Sequence, residues 1–175
     1  MIKLPASSFD KLVAGMPADS LPGHGEPGFD EVFDVWDELG NELAVEWEEA
    51  DAPQARREVA ALIELSRAVP FDGVVVGIAC NQPGLVAAAR AAASSMSMPA
   101  VGKVLDEMAR HVPPEVIAMD DPSARLEWYR SEAGARHSEA LEALDERVEE
   151  EISEELMLGC LRRVIRERGL FFEAD

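Results

Sequence analysis

The sequence predicts an all-α protein, a single-domain helical bundle of about eight helices around a buried central helix. Apolar residues recur at steps of three and four positions through most of the chain, as they do along amphipathic helices. No charged residue occurs between Asp72 and Arg90, so this stretch has no face suited to water and is expected inside the fold. A length of 175 residues suits one domain with a proper core, in which residues 1–28 form a helix and a loop and residues 29–172 form the helical core.

The N-terminal part is predicted to be a short helix followed by a loop. Ser7 or Ser8 can cap a helix that carries Phe9 inward and ends near Gly15. The range Asp19–Gly28 holds three glycines and two prolines, a composition typical of a loop.

A long amphipathic pattern starts after this loop, and Gly40 with Asn41 is a point where the helix is expected to break or kink. Pro53 suits the first turn of the next helix, which is predicted to end near Ala68. The residues predicted to face inward along the first of these helices are Phe29, Val32, Phe33, Trp36, Leu39, Leu43 and Trp47.

The uncharged stretch is interpreted as a short buried helix over Val69–Asn81, ended by the sequence Asn-Gln-Pro-Gly at 81–84. The valines at 74–76 favour a strand on propensity, whereas Ala79 and Cys80 suit a tightly packed helix. Gly73 and Gly77 carry no side chain, so another backbone is expected to approach them closely.

Downstream, apolar periodicity predicts further helices, and their boundaries fall at serine, proline or glycine. The predicted helical ranges are 85–93, 99–112, 115–119 as a short segment, 126–133, a run from 134 through 152, and a final helix to 169. The apolar residues at 170–172 are expected to fold back onto the core.

Acidic residues dominate the charge of this protein. Thirty-five acidic residues against sixteen Lys and Arg give a net charge of −19, and no Lys or Arg occurs between Lys11 and Arg56. Such a surface repels nucleic acid and anionic membranes and attracts basic proteins. The acids occur in two blocks, the first along 30–42 and the second along 139–155. The acids predicted to face a partner are Asp30, Glu31, Asp34, Asp37, Glu38 and Glu42 in the first block, and Glu142, Asp145, Glu146, Glu149 and Glu150 in the second.

Two interpretations of this charge remain open. The acids can form a solvated face that serves solubility or salt adaptation. Alternatively they can imitate a nucleic-acid backbone, because carboxylates four residues apart on a helix are separated by about 6 Å, the order of the phosphate spacing along a strand.

The range Asp72–Asn81 resembles an element of the DNA-mimic protein family, in which a glycine and an aliphatic run precede an asparagine. In that family an Ala-rich helix, a break, a second helix, a Leu-x-x-Leu-Asp element and a final helix ending in aromatics follow in order. This chain offers 85–93, 94–97, 100–112, 141–145 and 154–172 at similar spacing. Val74 stands where the family usually has an aromatic residue, and Cys80 stands where it often has Tyr or Phe.

The family groups small acidic helical proteins, mostly described as a domain of unknown function. The resemblance implies a protein that binds a DNA-binding protein in place of DNA, with an immunity role conceivable in other branches. The resemblance identifies no individual contact residue, so the acids named above are predicted from the two acidic blocks alone.

The sequence predicts no cofactor, metal or catalytic residue. Glu107 and His111 lie four residues apart, but a metal site needs three or four ligands. Cys80 and Cys160 occur in apolar surroundings, which raise a thiol pKa and make it inert, and two such cysteines do not form a disulfide framework.

The first hypothesis is therefore a non-enzymatic acidic DNA mimic, and its expected partner is a basic DNA-binding protein. The alternatives are an immunity or antitoxin-like protein that neutralises a basic toxin, an acidic-surface protein without mimicry, and an enzyme with a carboxylate site. No signal peptide or membrane-length apolar run is recognised, so a cytoplasmic protein is expected. The arginines at 162, 163, 166 and 168 are expected either to neutralise neighbouring acids or to dock on a second copy as a homodimer.

Overall fold

The computed structural model describes residues 18–172, apart from the side chains of Ala44 and Val45. These residues fold into one all-α unit, as the periodicity predicts, and they contain no strand. The first predicted helix, which begins after Ser7 or Ser8, lies outside the described range. The helices are α1 (Phe29–Leu43), α2 (Gln54–Gly73), α3 (Leu85–Ser95), α4 (Pro99–Ala109), α5 (Pro114–Ile117), α6 (Pro122–Arg130), α7 (Ala135–Arg147), α8 (Ser153–Arg166) and α9 (Arg168–Phe171).

Three helical segments that are not α-helical, one 3-10 and two π, connect some of these helices. A 3-10 turn spans Ala44–Glu48 after α1, a central π segment spans Val74–Cys80 after α2, and a second π segment spans Val148–Ile152 after α7. The predicted loop before α1 is confirmed, since residues 18–28 form turns without a helix.

Helix α2 occupies the centre of the bundle. It packs against α1, the 3-10 turn, α3, the central π segment and α8, and Val59, Leu62 and Leu65 along it are fully buried. Within the predicted helix over 69–81, residues 74–80 are buried as predicted, apart from half-buried Val76, whereas Pro70, Phe71 and Asp72 are exposed. The range is helical as far as Cys80, but it is divided between the last turn of α2 and the central π segment. The central helix is thus α2, which is longer than the predicted 69–81 helix and begins earlier.

A sharp turn at Gly73 separates α2 from the central π segment. Gly73 has a φ of 70°, a region that is almost restricted to glycine. The backbone N–H of Val74 donates a hydrogen bond to Asp145 Oδ1 at 2.8 Å. A Cβ on Gly77 would lie 2.8 Å from the Ala68 carbonyl oxygen, which confirms the close backbone approach predicted for this glycine.

Helix boundaries differ from the predicted ones where tertiary contacts replace local signals. Helix α1 continues through Gly40, which is buried and faces Arg67 so closely that a Cβ there would lie 2.9 Å from Arg67 Nη1. Helix α2 extends five residues past Ala68, and α4 ends at Ala109, before the predicted residue 112. Gly40 therefore marks a close contact between helices and not a break.

Buried charged groups tie the bundle together. Arg56 is buried and donates to Glu46 Oε2 at 2.7 Å. Arg125 is buried and donates to the carbonyl oxygen of Cys80 at 2.5 Å and also to that of Met119. Arg125 thereby satisfies a carbonyl at the end of the central π segment and joins it to α6.

The C-terminal segment folds back as predicted. Phe171 and Phe172 are buried, whereas Leu170 remains 40% exposed. These two phenylalanines close the core at the end of α9.

Candidate partner-binding surface

One face of α1 is apolar and the opposite face is acidic. Val32, Val35, Leu39 and Leu43 are buried, and they pack α1 against α2. The opposite side forms the α1 acidic face, whose members are all exposed: Asp30, Glu31, Asp34, Asp37, Glu38 and Glu42. The structure thus places all six predicted acids of the first block on one solvent-exposed helix face.

The α1 acidic face is not neutralised from within the described structure. None of its six carboxylates belongs to an ion pair among residues 18–172. Asp30 and Asp34, Asp34 and Glu38, and Glu38 and Glu42 are like-charge pairs four residues apart, and together they destabilise the helix by about 0.6–1.5 kcal/mol. Burial of the opposite face therefore holds this helix in place.

Phe33 corrects the predicted inward stripe. It is 53% exposed and lies at the border between the buried face and the acidic face. One helical step of about 100° separates it from Val32, which is at the middle of the buried face. A helical wheel centred on Val32 and Leu39 places Phe33 on the outward side. Counting three- and four-residue steps from Phe29 instead places Phe33 on the inward side.

The second acid block is only partly available to a partner. Glu142, Glu146, Glu149 and Glu150 are exposed, as predicted for partner-facing acids. Glu142 accepts a hydrogen bond from Ser138 Oγ at 3.3 Å within its own helix.

Asp145 has a structural contact that the sequence pattern did not reveal. It is half-buried and accepts the hydrogen bond from Val74 N–H. Burial raises the pKa of Asp145, the hydrogen bond from Val74 lowers it, and the negative charges of Glu142 and Glu149 raise it further. This carboxylate therefore supports the turn at Gly73, and it lies close enough to Glu142 and Glu149 for their charges to act on it.

Several basic residues neutralise acids inside the molecule. Arg147 pairs with Glu107 and, at 3.1 Å, with Glu151. Arg166 pairs with Asp19 at 2.5 Å.

Arg163 lies 3.6 Å from Glu58 and 3.1 Å from Glu167. Neutralisation of neighbouring acids, one of the two predicted roles of the C-terminal arginines, therefore holds for Arg163 and Arg166.

The loop before α1 brings the two acid blocks close at one end. His24 N–H donates to Glu154 Oε1 at 3.2 Å, and the His24 and Phe29 rings lie 5.3 Å apart. The start of α1 therefore lies beside the start of α8, where the second acid block ends.

The cysteines have the properties of core residues. Cys80 and Cys160 are both buried, and burial raises the pKa of each thiol. A protonated thiol is a poor nucleophile, so neither side chain is prepared for catalysis.

The histidines lie in two separate places. His111 and His137 have ring centroids 5.4 Å apart, while His24 lies in the loop before α1. Glu107, which lies four residues before His111 in the sequence, accepts a hydrogen bond from Arg147. Within residues 18–172 no group of three or more His, Cys, Asp or Glu side chains is arranged to hold a metal ion.

Comparison with known proteins leaves the family open. No family model matches the chain, and no curated protein or solved structure matches it. Membership of the DNA-mimic family stays a prediction. Among the described helices, none is both long enough and apolar enough to cross a membrane.

Proposed function

We propose that this protein is a non-enzymatic acidic interaction protein that occupies the basic cleft of a DNA-binding protein in place of DNA. The observation that carries the proposal is the α1 acidic face, six exposed carboxylates on one helix without an ion pair in the described structure. Elsewhere in the molecule acids such as Glu46, Glu107 and Glu151 have arginine partners. Other exposed acids also lack an ion pair in the described structure, but the α1 acids stand together on one helix face, where several can meet cations of another protein at once.

The geometry of the face suits a groove that binds a phosphate backbone. Asp30, Asp34, Glu38 and Glu42 follow each other at four-residue steps, which correspond to about 6 Å each and about 18 Å in total. Because the helix is fixed to α2 by its buried side, the carboxylates are presented on a rigid element. Rigid presentation limits the entropy lost on binding.

A pull-down with a charge-matched control tests the proposal. The test variant carries Asp34→Asn, Asp37→Asn, Glu38→Gln and Glu42→Gln on α1. The control neutralises two aspartates and two glutamates that are exposed elsewhere, namely Asp51, Asp120, Glu127 and Glu132. Both variants change the net charge by the same amount, so non-specific attraction of basic proteins falls equally in the two.

The wild-type and control proteins are expected to capture a DNA-binding protein from lysate, and the α1 variant is expected to lose it. Surface ion pairs contribute about 0.2–1 kcal/mol each, so the loss of four corresponds to about 4-fold to 1000-fold in affinity. Duplex DNA added to the beads should release the partner, since both bind the same cleft. Equal loss in both variants, or a partner that duplex DNA does not displace, would refute mimicry.

A carboxylate enzyme is the second candidate, because a specific observation favours it. Asp145, whose pKa is raised, lines a cavity of about 220 Å³ together with Tyr129, Arg130 and Glu142. This volume is below the roughly 300–1,000 Å³ of ordinary ligand sites, and Asp145 already accepts the Val74 hydrogen bond. We therefore rank this function below mimicry.

A thermal-shift screen with metabolite-sized ligands tests the enzyme candidate. A ligand of a carboxylate site would raise the melting temperature of the wild-type protein and leave that of Asp145→Asn unchanged. If no ligand separates the two proteins, the raised pKa of Asp145 reflects its place in the fold.

A further inference from the structure

A second recognition feature lies at the C-terminal end of α1. A cavity of about 460 Å³ opens between the end of α1, the last turns of α2 and the residues that follow the central π segment. Its volume is within the roughly 300–1,000 Å³ of ligand sites. The side chains that matter for its chemistry are Asn41, Glu64, Arg67, Phe71, Asp72 and Gln82.

Phe71 provides an open aromatic surface at this cavity. It is 83% exposed, more than any other large apolar side chain identified as exposed in the described structure. It follows Pro70 in the last turn of α2 and makes no ring contact with the other described aromatic residues. An exposed ring beside a cavity is a surface on which a flat or cationic group can stack.

The polar groups give the cavity a net negative charge. Glu64 accepts a hydrogen bond from Gln82 Nε2 at 2.5 Å, and Asp72 has no ion pair or hydrogen bond from a described side chain. Arg67 donates to Asn41 Oδ1 at 3.0 Å and packs against Gly40, so its guanidinium is engaged with the end of α1. Two carboxylates thus face one cation.

The side chain of Gln82 fixes the position of Glu64 at this cavity and has a buried acceptor without a partner in the described structure. Its Nε2 donates to Glu64, and exchanging the two amide atoms would place Oε1 against a carboxylate, so the orientation is fixed. Gln82 Oε1 is buried without a hydrogen-bond partner in the described structure. The exposed ring of Phe71 and the two carboxylates together suit a planar cation with several N–H donors.

We propose that this cavity receives an arginine side chain of the basic partner, stacked on Phe71 and hydrogen-bonded to Asp72 and Glu64. A guanidinium is planar, always charged and able to donate several hydrogen bonds at once, which an ammonium group does less well. Anions are disfavoured by the two carboxylates. Asn41 adjoins Glu42, so the cavity continues the α1 acidic face.

The inference rests on the proposed function, because the basic partner supplies the arginine. It is tested separately with short peptides, by amide NMR titration of the labelled protein with acetyl-Gly-Arg-Gly-amide and with acetyl-Gly-Lys-Gly-amide at equal salt. The arginine peptide is expected to shift the amide signals of Phe71, Asp72 and Gln82 saturably. The lysine peptide is expected to bind there at least about threefold more weakly than the arginine peptide.

Phe71→Ala and Phe33→Ala form a matched pair of variants, because each removes an exposed phenylalanine that is not part of the core. Phe71→Ala is expected to weaken arginine-peptide binding at the cavity about twofold to fivefold, the range for an exposed cation–π contact. Phe33→Ala is expected to leave it unchanged. Asp72→Asn should weaken it as well.

Three results would overturn the inference: shifts along α1 without shifts at the cavity, equal binding of the two peptides, or Phe71→Ala binding as the wild type does. Failure of the proposed function has a different outcome. In that case no DNA-binding protein is captured by the wild-type protein, whereas the cavity still prefers the arginine peptide.

Discussion

Replacing Gly73 by alanine is expected to destabilise the fold by about 2–6 kcal/mol. Gly73 has φ 70° and ψ 172°, a combination that costs other residues about 1–3 kcal/mol. The added Cβ would also lie 2.9 Å from Asp145 Oδ2. If Asp145 moves away, the buried N–H of Val74 loses its acceptor, which costs about 1–3 kcal/mol more.

Urea unfolding of four proteins, the wild type, Gly73→Ala, Asp145→Ala and the double variant, separates these two contributions. Asp145→Ala alone removes the acceptor of Val74 N–H and should cost about 1–3 kcal/mol. In the Asp145→Ala background, Gly73→Ala should cost only the backbone strain. The double variant is therefore expected to be more stable than the sum of the single changes predicts, by about 1–3 kcal/mol.

Gly102→Ala is the matched control for this experiment. Gly102 lies inside α4, and a Cβ there would have no heavy atom within 4 Å. Alanine in a helix interior is favoured over glycine by about 0.8–1.0 kcal/mol, so the control should become more stable. The reasoning is refuted if Gly73→Ala stays within about 0.5 kcal/mol of the wild type, or if the double variant is additive.

Four further outcomes follow from the structure. The four-acid α1 variant should gain about 0.6–1.5 kcal/mol in unfolding free energy at low salt, as like-charge repulsion is relieved, and lose most of that gain in 1 M salt; a loss of stability in urea melts at low salt would contradict this. Burial and the neighbouring positive charges lower the pKa of His111, so the stability it contributes is present above its unfolded pKa of about 6.5 and falls as pH drops below that value. His111→Gln should flatten this decline between about pH 7 and pH 5 in parallel melts. Phe171→Ala should cost about 3–5 kcal/mol through its core cavity, whereas Leu170→Ala should change stability by less than about 0.5 kcal/mol, and equal effects would place the tail outside the core. Cys80 and Cys160 should resist a thiol reagent at pH 8 until the protein is unfolded, and reaction of either one in the native protein would contradict the burial of its thiol.

The helices of the core were predictable because each depends on a local pattern. The stripe of Val32, Leu39 and Leu43, and the loop of glycine and proline before Phe29, are read directly from residue spacing. Their boundaries were less predictable. Gly40 and Asn41 predict a break from the sequence alone, whereas the structure places Gly40 inside α1, packed against Arg67 of a neighbouring helix.

The acidic face was predictable for the same reason, since charge and helical period together place Asp30, Asp34 and Glu38 on the solvent side. The second acid block was predictable only in part. In the sequence Asp145 is one acid among several, yet in the structure it accepts a hydrogen bond from Val74 N–H at the turn of Gly73. That contact joins residues 71 positions apart, and no local pattern encodes such a pairing.

The sequence by itself determined the helical class and the buried uncharged stretch, because residue periodicity is a pattern within one or two helical turns. It also determined the net charge of −19, which is a sum over the residues of the chain. The tertiary structure decided which glycines are close contacts, which acids are held inside the molecule and where Phe71 stands beside Glu64 and Asp72. These features depend on how separate helices pack, and packing is set by the summed shape of the whole core and not by any single segment.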